Sequence, residues 1–322
     1  MGSTFFGENW VAAGRGRETY FPASPAPARA LMDPGGQNGK DSIDLLVNTY
    51  ERTYRDVLAP RVFPGIEEQN QICFSQRTVV INNVLSVEDA RARAERLIGG
   101  GEIDRFVFVS EFLDTALRIT GMSRDDLGRF PHFVDWGLVT VSCARSPWLL
   151  HWDAEVTLEK PVNWIGPAIE RMKSDESVLV ANPSFDTDSI RGGIRKGLYR
   201  AVGDFALGYG FSDQVFLART ERLARPIYKE KCLASLRFPL AHILSSFEMR
   251  IDAYMRNHRL QRAIYLPAVY RHPAETEGSA YPAEMTFMER LRKIRNEYLH
   301  RKLRSRNVSR VLEWIGKSHL RV

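Results

Sequence analysis

Short apolar segments alternate with polar, helix-like segments through the first half of this chain, and this alternation limits the folds open to it. The apolar segments lie at residues 42–50, 77–84, 105–109 and 136–141, and each is of strand length. The helical segment after the second one begins with Ser86 as an N-cap and stops at the glycines 99–101. This order predicts an α/β fold, with a mostly parallel sheet flanked by helices and ligands at the carboxyl ends of its strands.

The composition is typical of a globular protein from a reducing compartment. The chain has 322 residues, 44% of them hydrophobic, and is long enough to bury a substantial core. Its cysteines, Cys73, Cys143 and Cys232, are too far apart for paired zinc spacing and odd in number, which argues against a full disulfide framework. The N-terminus does not resemble a leader, and no apolar run approaches the ~20 residues that span a bilayer. We therefore predict a cytoplasmic protein.

The net charge of +6 originates at the C-terminal end. Residues 290–322 contain eleven Lys and Arg against two acids, which leaves residues 1–289 with a net charge of −3. A protein that bound nucleic acid through its main body would carry its positive charge there. We therefore predict no nucleic-acid partner.

The tail also has apolar residues at helical spacing, at Met285, Met288, Leu291, Ile294, Tyr298 and Leu299. A basic amphipathic helix of this kind can lie on the anionic inner face of a membrane, or it can pack on the main body or on a second copy in a homo-oligomer. Residues 1–40 are rich in Gly, Pro and Ala and show no period. The predicted division is an irregular arm at 1–40, an α/β domain at 41–280 and a basic helical tail at 281–322.

Two carboxylates follow another apolar segment, which begins at Leu149. If Asp153 and Glu155 both lie on the strand, their side chains point to the same face because strand side chains alternate. Oxygen ligands of this kind hold Mg²⁺ or Mn²⁺ together with the phosphates of a substrate. The alternative reading is an ordinary solvated strand end.

Polar and aromatic side chains follow the first two strands as well. They lie where the sheet would bind a base and a ribose, and they are Thr49, Tyr50, Glu51, Arg52, Asn82 and Asn83.

At these residues the chain resembles the GT-A glycosyltransferases, especially the large inverting family 2 group. Residues 48–52 are similar to the Thr-Tyr-Asn-Arg-like turn of that family, with Glu51 in place of Asn. Residues 153–155 are similar to its Asp-x-Asp motif, with Glu155 in place of the second Asp. The resemblance covers roughly residues 41 to 273.

The second half of the chain extends the resemblance. Residues 211–219 resemble the segment that returns to the sheet beside the acceptor, and 246–255 resemble the helix start that supplies the catalytic base. The resemblance implies that Glu248 is the base, with Asp252 as the substitute. It also implies that His272 completes a metal site with Asp153 and Glu155.

The resemblance implies a metal-dependent, inverting enzyme of the kind used in polysaccharide biosynthesis. Its partners would be a nucleotide-sugar donor and a saccharide or lipid-linked acceptor, and its cofactor a divalent metal, Mn²⁺ or Mg²⁺. Arg52, Arg195 and Lys196 could neutralise the diphosphate. The last two lie in a Gly-rich segment, 191–197, which suits a mobile loop and could equally carry ordinary solvated charges.

Two other functions stay open at this stage. One is a nucleotidyltransferase on a related α/β fold, and the other is a non-catalytic sugar or nucleic-acid binding protein. The chain has neither a GxxxxGK[ST] nor a GxGxxG motif, which counts against a P-loop NTPase and a Rossmann dehydrogenase.

Overall fold

The computed structural model describes residues 41–238 and 245–272, together with Met288 and Leu291. The predicted arm at 1–40 lies outside the described residues, and so does the predicted tail helix apart from those two positions. In the part of the chain that is described, no helix has the length and apolar character needed to cross a membrane.

The described strands form one ten-stranded sheet, in the order β3-β2-β1-β4-β9-β6-β10-β8-β7, with β5 paired to β10. Their bounds are β1 (Ile43–Thr49), β2 (Gln76–Ile81), β3 (Arg105–Phe108), β4 (Trp148–Asp153), β5 (Thr157–Leu158), β6 (Val178–Ser184), β7 (Arg200–Val202), β8 (Phe205–Gly208), β9 (Val215–Arg219) and β10 (Gln261–Arg271).

The helices that accompany the sheet are α1 (Tyr54–Val57), α2 (Val62–Asn70), α3 (Val87–Gly99), α4 (Val109–Thr120), α5 (Asp135–Cys143), α6 (Ile165–Ser174), α7 (Thr187–Arg195), α8 (Thr220–Leu223) and α9 (Phe247–Asn257). Short 3-10 helices lie at Asp125–Leu127, Pro131–Phe133 and Leu233–Arg237.

Most strands of the sheet point in the same direction. β1 is parallel to β2 and β4, β2 is parallel to β3, and β6 is parallel to β10. β9 runs antiparallel between β4 and β6, and β8 runs antiparallel between β10 and β7. The predicted α/β architecture with a mostly parallel sheet is therefore confirmed.

Helices cover both faces of the sheet, which explains why its central strands are apolar throughout. In β1, Leu45 and Val47 belong to a core with α2, α3 and α6, whereas Leu46 belongs to a second core with α4, α5 and α9. All three side chains are completely buried. Burial of each such side chain contributes roughly 1.5–3 kcal/mol to folding.

Most of the predicted elements are found, but one predicted strand is not. The cap of α3 is confirmed, because the Ser86 hydroxyl accepts a hydrogen bond from the Asp89 amide at 3.3 Å. The strand predicted at 136–141 is wrong, because those residues belong to α5. Nearly all of α5 is buried, and a short segment that is apolar on every side has no period that separates helix from strand.

Candidate functional site

The parallel strands end at one edge of the sheet, and four of the predicted site positions meet there. Tyr50 follows β1, Asn82 follows β2, Asp153 is the last residue of β4, and His272 follows β10. β1 is in register with both β2 and β4 up to these ends, pairing Thr49 with Ile81 on one side and Asn48 with Asp153 on the other. This edge is the carboxyl edge of the sheet.

Asp153, Glu155 and His272 form a cluster at the carboxyl edge. The Nε2 atom of His272 lies 4.0 Å from Oδ1 of Asp153 and 3.9 Å from Oε2 of Glu155. One ligand atom from each of the three lies within 4.8 Å of the other two. All three side chains are half-buried, so that they face the edge without being sealed from it.

The two carboxylates meet for a different reason from the one predicted. Glu155 lies in a turn after β4, and its amide donates a hydrogen bond of 2.9 Å to Oδ1 of Asp153. Strand alternation therefore does not align them. The turn is an Asx turn, in which the Asp side chain accepts from the backbone two residues further on.

The cluster is acidic and only partly open to solvent. Burial raises the pKa of Asp153. The hydrogen bond from the Glu155 amide and the charge of His272 oppose this rise, and the charge of Glu155 adds to it. Burial also raises the pKa of the neighbouring Asp213 to about 6, with the charge of Asp153 as the second cause. A cation would offset this repulsion. Two carboxylates and one imidazole within reach of a single ion form a donor set that suits Mn²⁺ or Mg²⁺.

A cleft of about 940 Å³ opens beside the cluster, and His272 belongs to both. The lining residues come from β6, α7, β10, α9 and the segment before β9, and from connections that follow β6, α7 and β10. They are Asn182, Phe185, Ile190, Tyr199, Phe211, Ser212, Asp213, Gln214, Glu248, Arg262, Ile264, Tyr270, Arg271 and His272. The predicted base Glu248 therefore lines the same cleft as the predicted metal ligand His272.

Glu248 is held by the packing of the residue before it. It lies in the first turn of α9, whose cap is Ser246, with Phe247 between them. The Phe247 ring is fully buried, stacks on Tyr228 with ring centres 5.8 Å apart, and lies 5.4 Å from the Trp136 ring. A ring fixed on two sides sets the start of α9 and hence the direction of the Glu248 side chain.

Asp252 is not brought to the cleft. Its carboxylate is fully buried, accepts a hydrogen bond of 2.6 Å from the Ser235 hydroxyl and pairs with Arg256 at 2.9 Å. A buried carboxylate with these partners joins α9 to the preceding 3-10 helix. We interpret Asp252 as a structural residue.

The turn after β1 is ordered by its own side chains. Thr49 is buried, and its hydroxyl lies 3.0 Å from that of Thr53. Glu51 accepts from the Leu85 amide at 2.7 Å, which ties the ends of β1 and β2 together. Burial raises the pKa of Tyr50, and the charge of Glu155 is the second cause, so the phenol lies close to the acidic cluster.

Asp135 was missed by the sequence reasoning. It is the first residue of α5, and its Oδ1 accepts a hydrogen bond of 3.2 Å from the Asn82 side-chain amide. Burial raises its pKa to about 6, although this hydrogen bond and one from the Trp136 amide favour the charged form. The residues 136–141 were predicted to form a strand. Without a predicted helix there, nothing in the sequence marked Asp135 as a carboxylate at a helix N-terminus.

The remaining predicted residues are exposed at the surface. Arg52 and Asn83 follow β1 and β2. Arg195 is the last residue of α7, Lys196 is its C-cap, and neither lines the cleft. The expected mobile loop at 191–197 is mostly helix, since it forms the second half of α7. Asp186 caps the start of this helix by accepting a hydrogen bond from the Ser189 amide at 3.0 Å.

Comparison with known proteins gives structural likeness only. No protein-family model matches the chain. A search of curated proteins likewise finds no match. Solved structures that resemble the chain include GalNAc-T7 with UDP, GalNAc and Mn²⁺, at 10% identity and a TM-score of 0.43, over 78% of this chain and 47% of that one.

Two further glycosyltransferases are similar. Glucosyl-3-phosphoglycerate synthase from Mycobacterium tuberculosis, in complex with Mn²⁺, UDP and phosphoglyceric acid, is 14% identical with a TM-score of 0.40, over 80% of this chain and 78% of that one. The galactosyltransferase LgtC, in complex with donor and acceptor sugar analogues, is 18% identical with a TM-score of 0.31, over 56% and 58%. The chain thus spans about half the length of GalNAc-T7 and of LgtC. At TM-scores below 0.5 these likenesses do not define the activity of this chain, and the chemistry of the site is argued from its own geometry.

Proposed function

We propose that this protein is a metal-dependent glycosyltransferase that moves a sugar from a nucleoside diphosphate donor to an acceptor hydroxyl. The observation that carries the proposal is the position of His272, which belongs both to the cluster with Asp153 and Glu155 and to the cleft that Glu248 lines. Ligands for a divalent cation and a carboxylate suited to proton transfer therefore border one space.

The three clustered residues would hold the metal. A divalent cation bound there supplies positive charge beside the departing diphosphate. Asp153 and Glu155 provide oxygen ligands and His272 provides a ring nitrogen, while the Asx turn keeps the two carboxylates together. Tyr50 and Asn82, at the ends of β1 and β2, would contact the nucleoside.

Glu248 would act as the general base. Its carboxylate accepts the proton of the acceptor hydroxyl as that oxygen bonds to the anomeric carbon and the bond from this carbon to the diphosphate breaks. A single displacement of this kind inverts the configuration at the anomeric carbon. The firm packing of Phe247 supports the role, since a base must stay in hydrogen-bond reach of the proton it takes.

The wider setting follows from the sequence. We propose a saccharide or lipid-linked acceptor, a role in polysaccharide biosynthesis and a cytoplasmic location, with the basic tail on an anionic membrane or in a homo-oligomer. Sedimentation of the full chain with anionic and neutral vesicles at low and high salt tests the membrane contact, because the attraction is screened within about 10 Å at 0.1 M salt.

A melting-temperature panel tests the core of the proposal. Ligands that bind only the folded state raise the melting temperature by mass action. We expect at least one of UDP, GDP, CDP and TDP to stabilise the protein with Mn²⁺ and to lose the effect in chelator. Incubation of the matching nucleotide sugar should then release the nucleoside diphosphate. Release of pyrophosphate from a nucleoside triphosphate and a sugar phosphate would instead identify a nucleotidyltransferase.

A further inference from the structure

The cleft extends away from the metal cluster to Arg262. This arginine lies near the start of β10, opposite Val180 of β6 and Gly208 of β8. Paired residues of neighbouring strands share a face of the sheet. Val180 belongs to the core with α9, so Arg262 lies on the same face of the sheet as Glu248.

Two glycines shape this end of the cleft. A Cβ on Gly208 would lie 2.5 Å from the Tyr199 ring, and a Cβ on Gly193 would lie 2.5 Å from the other side of the same ring. The ring is therefore held between Gly193 of α7 and Gly208 of β8, and Gly208 is the residue that pairs with Arg262. Tyr199 and Ile264 give this end an apolar wall, with the guanidinium of Arg262 as its charge.

One hydrogen-bond donor of Arg262, the Nε–H group, is buried without a partner in the structure. Leaving such a donor unsatisfied is costly, and a native structure usually provides a protein group, a water or an ion for it. The other arginine of the cleft is already engaged, because Arg271 pairs with Glu159 at 2.9 Å.

The cleft carries charges of both signs. Asp213, Glu248 and Arg262 all line the cleft, and the charges of all three act on the Tyr270 phenol, with Arg262 as the only one of them that lowers its pKa. An anionic substituent would be repelled by the acids and would pair with the guanidinium. Arginine binds carboxylate and phosphate oxygens through two parallel hydrogen bonds, so the fit is specific as well as favourable.

We propose that the acceptor carries an anionic group, a phosphate or a carboxylate, and that Arg262 binds it. This proposal rests on the proposed function, because it takes the cleft as the acceptor site. The acceptor then lies with its anionic group at Arg262 and its reacting hydroxyl at Glu248. Arg262 sets acceptor specificity and takes no part in the chemistry.

The test measures the affinity of sugars that differ only in charge. Glucose 6-phosphate, glucuronate and glucose are titrated by calorimetry into the full-length protein saturated with Mn²⁺ and the nucleoside diphosphate that binds best. We expect at least one of the two anionic sugars to bind tenfold or more tightly than glucose. Arg262→Gln should abolish that preference, Arg262→Lys should keep part of it, and the control Arg200→Gln, an exposed residue outside the cleft, should keep all of it.

Two results would overturn the proposal. One is equal affinity of the wild-type protein for all three sugars. The other is a loss of nucleoside diphosphate affinity in Arg262→Gln as large as the loss for the anionic sugar, because Arg262 would then hold the donor. Failure of the proposed function is distinct, since it would appear as no Mn²⁺-dependent nucleotide binding by the wild-type protein. Melting temperatures of all three variants exclude misfolding.

Discussion

Gly137 of α5 lies so close to Phe247 that a Cβ on the glycine would come within 2.4 Å of the phenylalanine ring. The ring has no room to withdraw, because it also packs against Tyr228 and Phe211. A glycine in the middle of a helix costs about 1 kcal/mol relative to alanine. Here its absent side chain allows α9 to begin where it does, one residue before Glu248.

Gly137→Ala should therefore destabilise the protein despite its better helix propensity. We expect a loss of roughly 1–3 kcal/mol in the free energy of unfolding from overpacking, measured by urea denaturation. Turnover should fall further than the folded fraction does, because the start of α9 shifts. Gly99→Ala is the matched control, since a Cβ there meets nothing within 4 Å. Equal stability of Gly137→Ala and wild type would show that the ring relaxes without cost.

Glu155→Ala should weaken nucleoside diphosphate binding in Mn²⁺ by tenfold or more and leave the weak binding in chelator unchanged. The reason is the loss of one oxygen ligand from a set of three, with phosphate oxygens completing the shell. His272→Ala should act in the same direction, and exposed Glu95→Ala on α3 should have no effect. Calorimetry measures the nucleoside diphosphate affinity of all three variants. Unchanged affinity of Glu155→Ala in Mn²⁺ would remove the cluster from the nucleotide site.

Glu248→Gln should retain donor binding and lose turnover by roughly 10²-fold or more, the scale of acid–base assistance. Glutamine has the same shape as glutamate, so the packing of Phe247 is preserved. The glutamine side chain cannot accept the proton. Glu88→Gln, on the exposed face of α3, is the control. Steady-state rates of sugar transfer decide the matter, and a wild-type rate in Glu248→Gln would assign the proton transfer to another group.

The raised pKa of Asp135 predicts a pH-dependent stability. An acid whose pKa rises from 3.8 to about 6 on folding binds its proton more tightly in the folded state. The protein therefore loses stability as the pH rises through this window, by roughly 3 kcal/mol at most, and does not regain it above pH 6.

Asp135→Asn should remove that loss, because the amide oxygen still accepts from Asn82 and carries no charge. The variant should be more stable than the wild type at pH 8, and the difference should shrink towards pH 4. Urea denaturation at both pH values measures it. Parallel stability profiles for the two proteins would mean that the Asp135 carboxylate is well solvated.

The sequence predicted the carboxyl edge better than it predicted the walls of the cleft. Asp153 could be placed at that edge because parallel strands deliver their last residues there, and the family resemblance added His272. The order of the antiparallel strands is set by tertiary contacts, and no local pattern placed Arg262 in the same cleft as Glu248. Asp135 was missed for a separate reason, since the burial of α5 on all sides removed the helical period.

The antiparallel direction of β9 has a consequence for how such a cleft can diverge. Because β9 enters the sheet from the carboxyl edge, the residues just before it, Ser212, Asp213 and Gln214, line the cleft while β9 itself lies in the core. Insertions and replacements are tolerated best in surface connections of this kind. The segment between β8 and β9 is thus a place where the preference for one acceptor over another can change during evolution while the buried strands on either side stay as they are.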